Sequence, residues 1–233
     1  MTILAIDTSN YPFGVALIQE DRVIGEYITY IKKNHSVRAM PAIEQILKDC
    51  GIEAKELTKI VVANGPGSYT GVRIGVTLAK TLAWSLSIPL IPVSSLATLA
   101  SSGRYFSGYI VPLFDARRGQ VYTGLYEFQG DQLVCKEEDR NVMLEEWVIK
   151  LKELDKDILF VGNDVSLHEN KIQEVLGKQV RIATFVSHNP RPSELAYIGM
   201  GLKETTAHEV LPNYIRMAEA EVKWLESQKN LNK

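Results

Sequence analysis

Residues with the types that chemistry needs fall into four groups: aspartates at strand ends, a glycine-rich turn, four histidines and two cysteines. Asp7 closes the apolar run Ile3-Leu-Ala-Ile6, and Asp115 closes the run Tyr109 to Phe114. A nucleotide site built on such strand ends needs glycine and hydroxyl residues beside the aspartate, so that backbone N–H groups reach phosphate. Thr8 and Ser9 supply hydroxyls, but no glycine directly follows Asp7, and Tyr11, Pro12 and Phe13 fill the turn. The loop after Asp115 is Ala116-Arg-Arg-Gly119, with one glycine. An adenosine subsite calls for clustered glycines after the strand ending at Val161, where Gly162 stands alone before Asn163 and Asp164. Asp7, Thr8, Ser9 and Asp115 therefore read as an incomplete, vestigial nucleotide cleft, and no cofactor is expected.

The second group is Asn64-Gly-Pro-Gly-Ser-Tyr-Thr-Gly-Val-Arg-Ile-Gly75. Glycine permits the φ > 0 of a tight turn, and proline fixes one φ. Ser68 or Thr70 can cap the helix that follows. Gly71 and Gly75 lie four apart, on one face of that helix. Each costs about 1 kcal/mol relative to alanine, so their use implies close approach of another helix or of a ligand. The turn lacks the lysine and spacing of a P-loop, and Lys80 lies too far into the helix to replace it. Arg73, early in the helix, reads equally as a surface ion pair or as an interface anchor.

The remaining groups carry little chemistry. His35, His168, His188 and His208 have no second histidine at helical spacing, so no metal site is expected. His35 is expected at the surface, near the start of the first helix. Cys50 and Cys135 form neither a disulfide framework nor a metal motif. Ser68 is not in a nucleophile elbow. No catalytic residue is expected.

The elements that must position these residues follow from periodicity. Ile3–Ile6, Phe13–Gln19 and Arg22–Tyr30 read as a strand meander. A helix follows between Asn34 and Cys50, with Met40, Ile43 and Leu47 in its stripe and Pro41 either as its first residue or at a kink. Next come the strand Lys59–Ala63, the helix to about Leu86, the strand Leu90–Val93 and a short helix capped by Ser94 or Ser95. The second half repeats the order: strands Tyr109–Phe114, Gln120–Phe128 and Gln132–Arg140, a helix over Leu144–Leu154, a strand Asp157–Val161, and a helix over Ser166–Leu176. A strand near Val180–Ala183, a helix capped by Ser193 and running through Lys203, an extended run Pro212–Arg216 and a last helix Glu219–Gln228 complete it. A β-β-β-α-β-α pattern thus occurs twice. The fold class is α/β, of the two-lobed actin-like type. Residues 1–102 form the first lobe and 103–233 the second, with the C-terminal helix packing back on the first.

Composition narrows the function classes. The chain has 233 residues, 45% apolar and 23% charged, with a net charge of -2. That balance suits a globular protein and argues against one that grips nucleic acid alone. No apolar run approaches a membrane span and no signal peptide is indicated, so the cytoplasm is the expected location.

The segment Asn64–Gly75 closely resembles the signature of the bacterial TsaB (YeaZ) family. Ile3-Leu-Ala-Ile-Asp-Thr8, His35-Ser36 followed by Pro41, Phe114-Asp-Ala-Arg-Arg-Gly-Gln-Val-Tyr122 and Pro212-Asn-Tyr-Ile-Arg216 are similar to it as well. The resemblance implies a non-catalytic partner of the transferase TsaD. TsaD places threonylcarbamoyl on the adenosine 3′ of the anticodon in tRNAs that read codons starting with A. It implies contact with the ATPase TsaE, a homodimer when alone, and contact with tRNA only through the complex. In TsaD an H-x-x-x-H pair binds metal; here Ala39 stands four residues after His35, so that site does not carry over. Pairing with TsaD through helices of the first lobe assigns Met40, Ile43, Leu47, Gly71, Arg73, Gly75 and Ala79 as candidate interface residues. Gly75→Leu is then expected to abolish pairing and leave the fold intact. The alternative is an independent actin-like ATPase or kinase.

Overall fold

The computed structural model describes residues 1–31 and 34–215. The helix read over Glu219–Gln228 and the end of the extended run at Arg216 lie outside the described residues.

Two five-stranded mixed sheets form the frame. The first contains β1 (Thr2–Asp7), β2 (Phe13–Gln19), β3 (Arg22–Thr29), β4 (Lys59–Ala63) and β5 (Leu90–Val93), in the order β3-β2-β1-β4-β5. The second contains β6 (Tyr109–Asp115), β7 (Gln120–Gln129), β8 (Gln132–Met143), β9 (Ile158–Val161) and β10 (Val180–Ile182), in the order β10-β9-β6-β7-β8. With β6 superposed on β1 the two orders are the same. In both sheets the first three strands pair antiparallel and the later ones parallel. The repeat read from the sequence is therefore a repeat of topology, and the fold is the two-lobed actin-like one.

Six α-helices cover these sheets among the described residues: α1 (His35–Asp49), α2 (Tyr69–Leu86), α3 (Ser95–Ala100), α4 (Leu144–Lys152), α5 (Glu169–Leu176) and α6 (Pro192–Met200). The Asn34 side chain caps α1 by accepting from the Ser36 N–H, and Pro41 lies inside the helix. Ser68 caps α2 by accepting from the Gly71 N–H, and α2 ends at Ser87, whose φ is 56°. Ser94 caps α3. The helix expected over Ser166–Leu176 starts with a 3-10 turn, Asn163–Leu167, and only then becomes α5. Ser193 does not cap α6: Pro192 stands at its first turn, and the helix stops at Met200 rather than Lys203.

Strand β1 is buried on both faces, as its continuous apolar run requires. Leu4 and Ile6 pack with Phe13, Val15 and Leu17 under α1 and α2. Ile3 and Ala5 point the other way and pack with Ala16, Val61 and Ile91 under Leu195 and Ala196 of α6. At Gly199 a Cβ would come within 2.6 Å of the Val61 side chain, so glycine lets α6 lie close on the sheet.

Helix α6 follows the second sheet in sequence but covers the first. The division that places 103–233 in the second lobe, with only the C-terminal helix returning, is corrected here: the return begins at α6. After it, Thr205 pairs with Leu90, and Asn213 N–H donates to Asn64 O at 2.7 Å. Helix α3 does the converse. It lies in the first half, yet Leu96, Leu99 and Ala100 pack on Ile110, Phe114, Tyr126 and Val161 of the second sheet. Each half lends one helix to the other half's sheet.

Candidate functional site

The glycine-rich turn and the start of α2 close over the end of β1. Thr8 and Ser9 are wholly buried there. The Thr8 hydroxyl donates to Gly71 O at 2.7 Å, and Ser68 N–H donates to Ser9 O at 2.7 Å. A Cβ on Gly67 would collide with the Ser9 carbonyl oxygen, one on Gly71 with the Thr8 carbonyl oxygen, and one on Gly75 with the Thr8 hydroxyl. The three glycines thus seat the protein's own β1 loop.

This corrects five interface expectations. Gly71, Gly75 and Ala79 are buried under α2 against the first sheet, and Ile43 and Leu47 are buried under α1. The small and apolar faces of both helices are spent on the chain's own core. Gly75→Leu would disrupt the seat of Thr8 and so the fold, not pairing alone. The phosphate reading of the turn also weakens, because three of its backbone donors are taken. Ser68 N–H meets Ser9 O, Gly71 N–H meets the Ser68 hydroxyl at 3.3 Å, and Gly65 N–H meets the Ser95 hydroxyl at 3.1 Å.

Asp7 is 2% exposed. Its Oδ1 accepts from the Ser9 N–H at 2.8 Å and from the Ser9 hydroxyl at 2.7 Å, while Oδ2 has no hydrogen-bond partner among the described residues. Burial pushes its carboxyl pKa up, against the pull of the Ser9 hydrogen bonds and of nearby His35. His35 was expected at the surface but is half-buried, with Nε2 at 2.9 Å from Asn10 O. Burial pulls its pKa down, and the Arg38 charge adds to this. Arg38 lies 5.1 Å over the Phe13 ring and donates to the Thr29 hydroxyl at 2.8 Å.

The second aspartate has different neighbours. Asp115 Oδ1 meets His168 Nε2 at 3.0 Å, and Asp115 N–H donates to Asp164 Oδ2 at 2.9 Å. Arg117 N–H donates to Asp115 Oδ2 at 3.2 Å. Arg117, Arg118 and Gly119 all have positive φ, at 66°, 54° and 73°. Burial pushes the Asp164 carboxyl up, and the Asp115 charge adds to it. From the first lobe, Tyr30 feels the Asp164 charge, which with burial raises its phenol pKa. The sequence reading missed Asp164 and His168 as companions of Asp115. Their spacing, Asp164-x-x-x-His168 directly after a strand, is the signal that could have found them. Of the four vestigial-cleft residues, Asp7, Thr8 and Ser9 are buried by the start of α2, while Asp115 bonds residues of its own lobe. Among the described residues no cluster of three or more His, Cys, Asp or Glu could hold a metal ion.

What α1 and α2 leave outward is different. Val37 is 70% exposed, Pro41 is exposed and Met40 is half-buried on α1. On α2, Arg73, Thr77 and Thr81 are exposed and Trp84 is 67% exposed. Ile74, Leu78 and Leu82 form a half-buried stripe along one flank. Of the interface candidates, Met40 and Arg73 remain accessible.

A protein from Bacillus subtilis (strain 168) named tRNA threonylcarbamoyladenosine biosynthesis protein TsaB is 62% identical over 229 residues, covering 98% of this chain and 100% of that protein. The chain belongs to the TsaB family. The TsaB of Escherichia coli (strain K12) is 32% identical over 165 residues, 70% of this chain and 71% of that one. A family model described as TsaD, tRNA N6-adenosine threonylcarbamoyltransferase, matches residues 23–224. The solved structure of YeaZ from Pseudomonas aeruginosa superposes with a TM-score of 0.78 at 26% identity, over 91% of this chain and 99% of that one. In this TsaB family member the turn Asn64–Gly75 is the seat of the β1 loop. No helix among the described residues is long and apolar enough to cross a membrane.

Proposed function

We propose that this chain is a non-catalytic subunit of the machinery that makes threonylcarbamoyladenosine in tRNA. It pairs with a TsaD-like transferase through the outward faces of α1 and α2. The family relatives supply the process, since TsaB proteins carry tRNA threonylcarbamoyladenosine biosynthesis in their names. The observation that carries the non-catalytic reading is the seat of Thr8 and Ser9. Thr8 and Ser9 are buried there, the Ser9 carbonyl takes the Ser68 N–H, and the Thr8 hydroxyl donates to Gly71 O, so the loop that a nucleotide-binding lobe keeps open is packed against the chain's own helix. A TsaE-like ATPase supplies the ATP chemistry, and tRNA is met through the complex in the cytoplasm. The free protein pairs with itself through the same helices.

The pairing surface combines Val37, Met40, Arg73 and Trp84. Aromatic residues and arginine dominate the energetics of such surfaces. The test is reconstitution: purified transferase, ATPase, ATP, an activated threonylcarbamoyl donor and unmodified tRNA, with and without this chain, read by mass spectrometry of the tRNA nucleosides. Modification that does not depend on the chain sinks the proposal. Arg73→Glu with Met40→Asp is expected to weaken pairing with the transferase by at least ~100-fold, about 3 kcal/mol. Its circular dichroism and unfolding midpoint are expected to stay those of the wild type. ATP hydrolysis by the isolated chain would favour the independent ATPase instead.

A further inference from the structure

Helix α2 turns one stripe outward, and the chain returns late in its course to lie along it. Tyr69, Arg73, Thr77, Lys80 and Thr81 recur at helical spacing on that face, and the stripe runs on to exposed Trp84. The return is held at several points. Lys80 Nζ donates to His208 O at 3.5 Å and to Val210 O at 2.8 Å, and Asn64 Nδ2 donates to Leu211 O at 3.3 Å. Asn213 N–H donates to Asn64 O at 2.7 Å, and Tyr214 stacks on Tyr69 with ring centroids 4.7 Å apart. The glycine-rich turn makes room for this path: a Cβ on Gly65, whose φ is 109°, would lie 2.6 Å from the Asn213 carbonyl oxygen. Between the stripe and Pro212 and Tyr214 of the return lies a notch of about 560 Å³.

This notch is cationic without a counter-charge. Arg73 and Lys80 both line it, and no described carboxylate does. Among the described residues neither cation forms an ion pair. Lys80 gives its donors to two carbonyls, which hold the return but do not cancel its charge. Arg73 is exposed, and its charge acts on the Tyr214 phenol. Its guanidinium presents a fork of N–H donors that matches the two oxygens of a carboxylate. We propose that the notch takes an acidic side chain of the transferase-like partner, with the return 208–214 as its second wall. The inference rests on the pairing through α1 and α2 proposed above and names the chemistry of one of its contacts. Two observations favour a protein carboxylate over an RNA phosphate. The rim is apolar and aromatic, with Leu211, Tyr69, Tyr214 and Trp84 all exposed around the cations, and such a rim keeps water from a charged contact between proteins. The chain's net charge of -2 gives it no general hold on a polyanion. The partner thus reads the late return of the chain together with α2, and a surface made by residues far apart in sequence selects it.

The test is the affinity of the full chain for the purified transferase, measured by titration calorimetry at low and at high salt. Arg73→Gln removes the charge from an exposed position. It is expected to weaken pairing at least ~10-fold at low salt and by less at high salt, where the wild-type contact is itself screened. Tyr214→Ala leaves both cations and takes away the second wall. It is expected to weaken pairing about 5-fold at either salt. Tyr214→Phe keeps the stacked ring and is expected to pair as the wild type does. A further measurement stands apart from any loosening of the return. In Arg73→Lys, a carbodiimide is expected to join the introduced amine to an aspartate or glutamate of the transferase, located by peptide mass spectrometry. Wild-type pairing with unchanged affinity in Arg73→Gln overturns this inference and leaves the pairing through α1 and α2 standing. Absence of pairing in the wild type overturns both. Unmodified tRNA that displaces the transferase from the wild type but not from Arg73→Gln assigns the notch to phosphate, which also overturns the proposal.

Discussion

Asp7 and Asp115 occupy the same point of the same topology, and the molecule treats them oppositely. Asp7 is buried beneath the start of an 18-residue helix whose glycines accept the loop that follows it. Asp115 opens a loop with three consecutive positive φ values, and its side chain stays partly exposed against His168. The element that covers Asp7 has a weak counterpart in the second lobe. There the chain leaves β9 through a 3-10 turn and only then forms α5, of 8 residues. The difference teaches how to read glycines at a helix N-terminus. They favour anions only when backbone donors remain free. When a carbonyl of the same chain already fills the space a Cβ would take, they serve packing.

The sharpest way to break this comparison is to place the same methyl group in each lobe. Gly71→Ala drives a Cβ into the Thr8 carbonyl oxygen, which is backbone and cannot yield cheaply. Overpacking of this kind is expected to cost about 3 kcal/mol. Gly119→Ala meets only the end of the Met143 side chain, at 3.2 Å, and its main penalty is the positive φ of 73°. That change is expected to cost about 1 kcal/mol. Urea unfolding of the two variants measures both. Equal losses would show that the first lobe's turn is no tighter than the second's loop.

Charge separates the aspartates next, and the sign is opposite to intuition for a carboxylate. Burial raises the folded-state pKa of Asp7 above its unfolded value. The folded state therefore holds the proton longer. The stability this contributes is complete below the unfolded pKa, falls as pH rises between the two values, and is gone above the folded one. Each pKa unit of upward shift corresponds to about 1.4 kcal/mol lost at neutral pH. Asp7→Asn keeps an oxygen for the Ser9 donors and removes the buried charge. It is expected to raise the unfolding midpoint at pH 7 to 8, with the gain vanishing towards pH 4. A loss of stability in Asp7→Asn at neutral pH would mean that the carboxylate has a partner worth more than its burial.

Much of the frame was legible in the sequence because it rests on local physics. The apolar run before Asp7, the strand–turn–helix at Asn64–Gly67 and the caps Ser68 and Ser94 are decided by residues close to each other. What was not legible is which surface a helix face meets. Gly71, Gly75 and Ala79 form a small-residue face on any helical wheel. Nothing in that pattern distinguishes Thr8 of the same chain from a helix of a partner. The same gap hid the exchange of α3 and α6. The stripe of Leu195, Ala196 and Gly199 states that a sheet lies beneath, without saying that the sheet belongs to the other half. His35 and Asp164 were missed for a related reason. Their environments are made by segments distant in sequence: β1 and its loop for the one, the end of β6 for the other.

The smallest expected effects test whether the contrast extends to single hydrogen bonds. Thr8 donates its hydroxyl to Gly71 O inside the core. Thr8→Val keeps the shape and leaves that carbonyl without the bond, which is expected to cost about 1 kcal/mol. His168 meets Asp115 at a site that water can reach, and an ion pair or hydrogen bond there is screened. His168→Asn is expected to cost about 0.5 kcal/mol or less. Both are measured by unfolding in urea, with amide exchange at Gly71 as a local readout. Sealed packing predicts that exchange in the first turn of α2 quickens in Thr8→Val and is untouched by His168→Asn. If His168→Asn proves the costlier change, the second lobe's aspartate is the better-anchored one, and the sealed loop at Asp7 contributes shape more than stability.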